Sequence, residues 1–139
     1  MNKRFKDWKA PEFDDKDTTR WNWMCQHHEN LELGHHTDIG AFTYINALYG
    51  VAIGEGVEVG SHCSIYSLST IDNKRGKVVI RKNAKIGTHS VIMPGVTIGE
   101  NTVVGAFSFV NQDLPDNVVA YGIPAKIQSS QDEGVSSER

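Results

Sequence analysis

Cysteine is nearly absent. Only Cys25 and Cys63 occur in 139 residues, far apart and without metal-ligand spacing. They read as buried thiols of a reducing cytosol, with a single disulfide as the alternative. No apolar run reaches membrane-spanning length, and the N-terminal stretch has no hydrophobic region of the signal-peptide kind, so no membrane insertion is expected. A dominant charge sign is also missing: 14 Lys and Arg stand against 17 Asp and Glu, for a net charge of −3. The basic opening MNKRFKDWK is soon followed by Asp14, Asp15 and Asp17. A broad basic field is therefore lacking, and nucleic acid is not an expected partner. The length suits one domain.

What the chain does have is a period of six. Ile80, Ile86, Ile92, Ile98, Val104 and Val110 recur at that interval, with small or turn-forming residues between them. A helix of 3.6 residues per turn would smear these positions around its cylinder, and a strand has a side-chain period of two. The pattern fits a chain that runs straight briefly, turns, and repeats, aiming one branched residue inward on each flat face. That is the signature of a hexapeptide β-helix.

The repeat extends backwards through Ile53, Val59 and Ile65, and through Leu33, Ile39 and Ile45. Its phase slips by two residues between Ile45 and Ile53, which predicts an enlarged corner. It fails again before Ile80, where the polar IDNKRGK intervenes, predicting an extruded loop over about 66–77. Three hexapeptides make one turn of a triangular prism, so about four coils are expected, stacked about 4.8 Å apart. The expected organisation is a capping segment at 1–32, a β-helix at 33–127 and a disordered polar tail at 128–139. In the first segment Trp21, Trp23 and Cys25 alternate, as in a short strand over the open prism end.

Residues 86–110, IGTHSVIMPGVTIGENTVVGAFSFV, followed by Asp113-Leu114-Pro115 and Gly122-Ile-Pro-Ala-Lys126, resemble the C-terminal consensus of the hexapeptide acyltransferases. The likeness is greatest to the galactoside, maltose and nucleotide-sugar acetyltransferase branch. It implies an all-β, left-handed parallel β-helix, a homotrimer, and acetyl-CoA as acyl donor lying between subunits. By the same resemblance, Gly105 and Ala106 would meet the pantetheine arm, and Pro124, Ala125 and Lys126 the adenine and 3′-phosphate. The alternative is that GIPAK merely closes the last coil.

The sugar O-acetyltransferases of this branch resemble one another in carrying a catalytic histidine in the extruded loop. This chain has Ser67-Leu68-Ser69-Thr70-Ile71-Asp72 there, with no histidine. The register offers His62 and His89 instead, each fourth in its hexapeptide, on successive coils of one corner, with Phe42 below and Phe107 above. Either imidazole suits a general base near neutral pH, with Asp72 orienting or charging it; the alternative is stacking for packing or trimer contact. Asn73, Lys74 and Arg75 are candidates for binding an acceptor sugar or its diphosphate, or form an ordinary solvated loop. His27, His28, His35 and His36 read as surface or cap residues. The expected activity is acetyl transfer to a small-molecule sugar or nucleotide-linked amino sugar in the cytoplasm, serving cell-surface polysaccharide. Its alternatives are a carbonic-anhydrase-like zinc protein using His62 and His89, and a trimeric scaffold without chemistry.

Overall fold

The computed structural model describes residues 6–131. Among them the regular structure is strand, apart from one 3-10 turn at His28–Asn30. No helix in this region is long and apolar enough to cross a membrane. The strands are two or three residues long in the coils, because each hexapeptide spends its remaining residues on a corner. They stack into three parallel faces of a triangular β-helix.

Face one holds Met24–Gln26, Tyr44–Asn46, Ser64–Tyr66, Val91–Ile92 and Phe109–Val110. Face two holds Leu31–Leu33, Val51–Ile53, Val78–Ile80 and Thr97–Ile98, and Leu114 bridges onto Ile98. Face three holds Asp38–Ile39, Glu58–Val59, Lys85–Ile86, Val103–Val104 and Val118–Gly122. The chain visits the faces in the order one, two, three, so each coil has three corners. Residues of one column pair in register, as in Cys25–Ile45–Ile65–Ile92–Val110 and Ile39–Val59–Ile86–Val104–Ala120.

All four expected coils are present. The column residues are buried except Leu33, half-exposed at the open end of the prism. The helix also runs further than the aliphatic period marked. Cys25 begins face one a coil early, and Leu114 and Ala120 continue the columns past Val110. The tail is another difference. Ala125–Ser130 is an antiparallel strand folded back on Val118–Gly122, so Ser129 and Ser130, in the segment expected to be disordered, are paired, and Gln128 falls at the bulge between them and Ile127. Its polar side chains face outward, and the ladder, not a buried face, holds it. The rest of that segment, 132–139, lies outside the described residues. Both thiols are buried and free, and burial pushes the Cys25 thiol up to about 12.

The enlarged corner after Asn46 carries Tyr49 at its edge. The second interruption is a small antiparallel hairpin of Leu68–Ser69 against Lys74–Arg75, extruded between faces one and two. These two features, and the corner between faces three and one, position the candidate site.

Candidate active site

The corner between faces three and one places one residue per coil in the left-handed backbone region: Phe42 (φ 66°), His62 (59°), His89 (60°) and Phe107 (61°). That geometry throws the side chain out of the coil, and the six-residue repeat stacks the four. Ring centroids lie 5.2 Å apart for Phe42–His62 and 4.8 Å for His62–His89 and for His89–Phe107. The two imidazoles are parallel to within 3°. Axial hydrogen bonds hold the spacing: the amides of His62, His89 and Phe107 donate to the carbonyls of Ala41, Ser61 and Thr88. The predicted column is present, and all four rings are exposed.

The same corner carries the residues expected to meet a cofactor. A side chain at Gly87 would put its Cβ 2.5 Å from the Ala106 nitrogen, so glycine is required for the coils to close up there. The Gly105 carbonyl accepts from Ser108 Oγ at 2.7 Å, and that hydroxyl in turn accepts from the Gly122 amide at 3.1 Å. Ser108 thus ties the last hairpin turn, which carries Pro124, Ala125 and Lys126, to the Gly105-Ala106 step. Ala106 is exposed, and its amide donates no hydrogen bond among the described residues. Pro124 and Lys126 are exposed and Ala125 half-buried.

The extruded hairpin presents Asp72, Asn73, Lys74 and Arg75 to solvent, with Ile71 at its tip 99% exposed. A hydrogen bond from the Ser69 hydroxyl, assisted by Lys74, holds the Asp72 carboxyl below the usual carboxylate range. The Lys74 ammonium lies 3.7 Å from Asp72. Arg75 turns down onto Tyr49, its carbon 5.6 Å from the ring centre and its Nη1 donating to the hydroxyl at 3.3 Å.

The hairpin and the histidine corner are not adjacent within one chain. His62 precedes the strand Ser64–Tyr66 and the hairpin follows it, so the two flank opposite edges of face one. Five extended residues separate them, roughly 15 Å. The expected pairing of Asp72 with His62 or His89 is therefore not made inside a single copy. Counting the register would have shown this, because the corner and the loop fall on different sides of Ile65.

Parallel imidazoles also bear on the zinc alternative. Nitrogen lone pairs lie in the ring plane, so two stacked parallel rings do not aim at one ion at bonding distance. Among the described residues no group of three or more His, Cys, Asp and Glu is placed to hold a metal. The N-terminal histidines pack at the cap: His28 stacks on Phe13 at 4.4 Å and faces Asp17 at 3.7 Å, and His35 stacks on Trp8 at 5.4 Å. Thr88, Ser69 and Tyr49 contact the side chains of His89, Asp72 and Arg75, and Ser61 contacts Thr88, without being among the expected site residues. A hydroxyl residue precedes each corner histidine, and that was the available signal.

Short inward aliphatic columns, glycine-tight corners and one extruded hairpin define a hexapeptide-repeat β-helix. The profile of the family "Bacterial transferase hexapeptide (six repeats)" matches residues 77–112. The galactoside O-acetyltransferase of Lactococcus lactis subsp. lactis is 34% identical over 110 residues, covering 68% of this chain and 53% of that protein. A dTDP-3-amino-3,6-dideoxy-α-D-galactopyranose 3-N-acetyltransferase of Aneurinibacillus thermoaerophilus is 49% identical over 53 residues, covering 38% of this chain and 28% of that one. Among solved structures, a hexapeptide-repeat acetyltransferase of Vibrio cholerae in complex with acetyl-CoA superposes with a TM-score of 0.75 at 31% identity, covering 78% of this chain and 64% of the other. Its structure without that ligand gives 0.72 at 30%, covering 78% and 67%. The chain belongs to the hexapeptide-repeat acetyltransferase family, and its fold is the left-handed parallel β-helix. It spans about half the length of the Lactococcus relative.

Proposed function

We propose that this chain is an acetyl-CoA-dependent acetyltransferase, a cytoplasmic homotrimer that acetylates a sugar or a nucleotide-linked amino sugar for cell-surface polysaccharide. One observation carries the reading. A single exposed corner joins an imidazole pair to the Ala106 amide, which has no acceptor among the described residues, and to the turn bearing Lys126. A thioester laid along that corner would meet the amide as a hydrogen-bond donor for its carbonyl oxygen. Lys126 would face the phosphates of CoA. The acceptor oxygen or nitrogen forms the new bond to the acetyl carbon and gives its proton to an imidazole. The carbon–sulfur bond breaks, and the imidazolium returns the proton to the departing thiolate.

The hairpin belongs to the same site when a neighbouring copy brings it there. Three copies side by side place the hairpin of one against the histidine corner of the next. Asp72, ionised at neutral pH, then suits an ammonium on an amino sugar. Asn73, Lys74 and Arg75 suit its hydroxyls or a diphosphate. The relatives that act on a galactoside and on a dTDP-linked amino sugar support these two acceptor classes.

Calorimetry with acetyl-CoA, with free CoA as control, tests the assignment before any acceptor is known. Saturable binding near one site per chain is expected, followed by turnover of a nucleotide-linked amino sugar or a simple glycoside. Absence of binding at millimolar acetyl-CoA would remove the transferase reading and leave a scaffold.

A further inference from the structure

The hydroxyl beside His89 has its proton already committed. Thr88 Oγ1 lies 2.8 Å from the Ser61 carbonyl oxygen one coil below, and 2.9 Å from His89 Nδ1. A hydroxyl has one proton. If Thr88 gave it to the imidazole, two oxygen acceptors would face each other at 2.8 Å with nothing between them. The proton therefore lies toward Ser61, and Thr88 can only accept from the ring. A hydroxyl is free to accept, since its lone pairs remain, and the Ser61 hydroxyl at 3.3 Å can donate a further bond to it.

We propose that Thr88 is a positioning residue that fixes His89 in its Nδ1–H tautomer and leaves Nε2 as the free proton acceptor. The inference rests on reading this corner as the acyl-transfer site, and it singles out His89 over His62. No side chain is hydrogen-bonded to the His62 ring among the described residues, so nothing sets its tautomer, whereas His89 is held by Thr88 and clamped between His62 and Phe107. Water alone favours the opposite, Nε2–H form of a neutral imidazole, so the threonine reverses the default. It also prepares the charged state: when Nε2 takes the acceptor's proton, the Nδ1–H bond to Thr88 becomes charge-assisted and strengthens.

The test reads the ring directly. Nitrogen-15 NMR of the full chain at about pH 8.5, where an ordinary histidine is neutral, distinguishes the two tautomers without any substrate. Wild type and T88S are expected to show Nδ1–H at His89, and T88V, of equal size but without the hydroxyl, to revert to Nε2–H. A wild-type Nε2–H ring, or an Nδ1–H ring that survives in T88V, overturns the proposal. In parallel, T88V is expected to lower kcat about tenfold with KM for acetyl-CoA unchanged, and T88S to restore it. A folded T88V with altered tautomer and full kcat would also overturn it. If no acceptor is ever turned over, the NMR arm decides the tautomer alone and the failure belongs to the transferase reading.

Discussion

A phenylalanine held left-handed in solvent is a poor choice for stability. The left-handed backbone costs an L-residue with a large side chain about 1–2 kcal/mol, and the ring of Phe107 is 62% exposed, so little burial offsets that cost. Asparagine is far better tolerated in this conformation, and the neighbouring corner uses it at Asn83, Asn101 and Asn117. Beyond their stacks on His62 and His89, Phe42 and Phe107 are therefore expected to be covered by the acyl donor or by the next copy. Phe107→Asn should leave thermal stability unchanged or raise it by up to about 1 kcal/mol, while weakening acetyl-CoA binding in calorimetry. A loss of stability of that size with normal binding would make the ring a packing residue instead.

At the scale of the coil, the critical contacts are between backbones. Gly87 sits where any Cβ would lie 2.5 Å from the next coil's Ala106 nitrogen. The atom it meets is main chain, which has no rotamer to yield. Gly87→Ala should therefore cost about 1–3 kcal/mol by overpacking, read as a lower denaturation midpoint, and should reduce activity because Thr88 and Ala106 move with it. An unchanged midpoint would show that the coils have slack. Coil geometry of this kind was legible in the sequence, because a period of six leaves few conformations open and each column residue repeats the message. The elements that were not legible lack that redundancy. Met24–Gln26 is legible as a short strand from the alternation of Trp21, Trp23 and Cys25, but not as a further coil of face one, because its one inward residue is a cysteine. Ala125–Ser130 is held by ladder hydrogen bonds to Val118–Gly122 with polar side chains outward. The site was half legible for the same reason. Register put His62 and His89 in one column, but the role of Thr88 depends on a carbonyl a full coil away, which no local pattern reports. The hairpin is legible from where the repeat breaks, but the break says nothing about which edge of the face it leaves, so its distance from the histidine corner of the same copy is not.

For the whole molecule, face one has an exposed hairpin tip at one edge and an exposed aromatic column at the other. A contact between unlike edges is heterologous, and it closes into a ring when each copy is rotated by a third of a turn. Such a ring gives every site its hairpin from one copy and its imidazole from the next. Mass measurement in solution should then return three copies. Mixing subunits gives a sharper test. His89→Ala and Asp72→Asn proteins, each inactive or nearly so, are unfolded together in equal amounts and refolded. A site is intact only where an Asp72-bearing copy meets a His89-bearing neighbour, which random assembly produces for about a quarter of the contacts. Recovery of about a quarter of wild-type turnover is the expected result, with none from either variant refolded alone. If the mixture stays as inactive as its components, the hairpin and the histidine corner do not serve one site across the interface, and Asp72 has no part in the chemistry at His89.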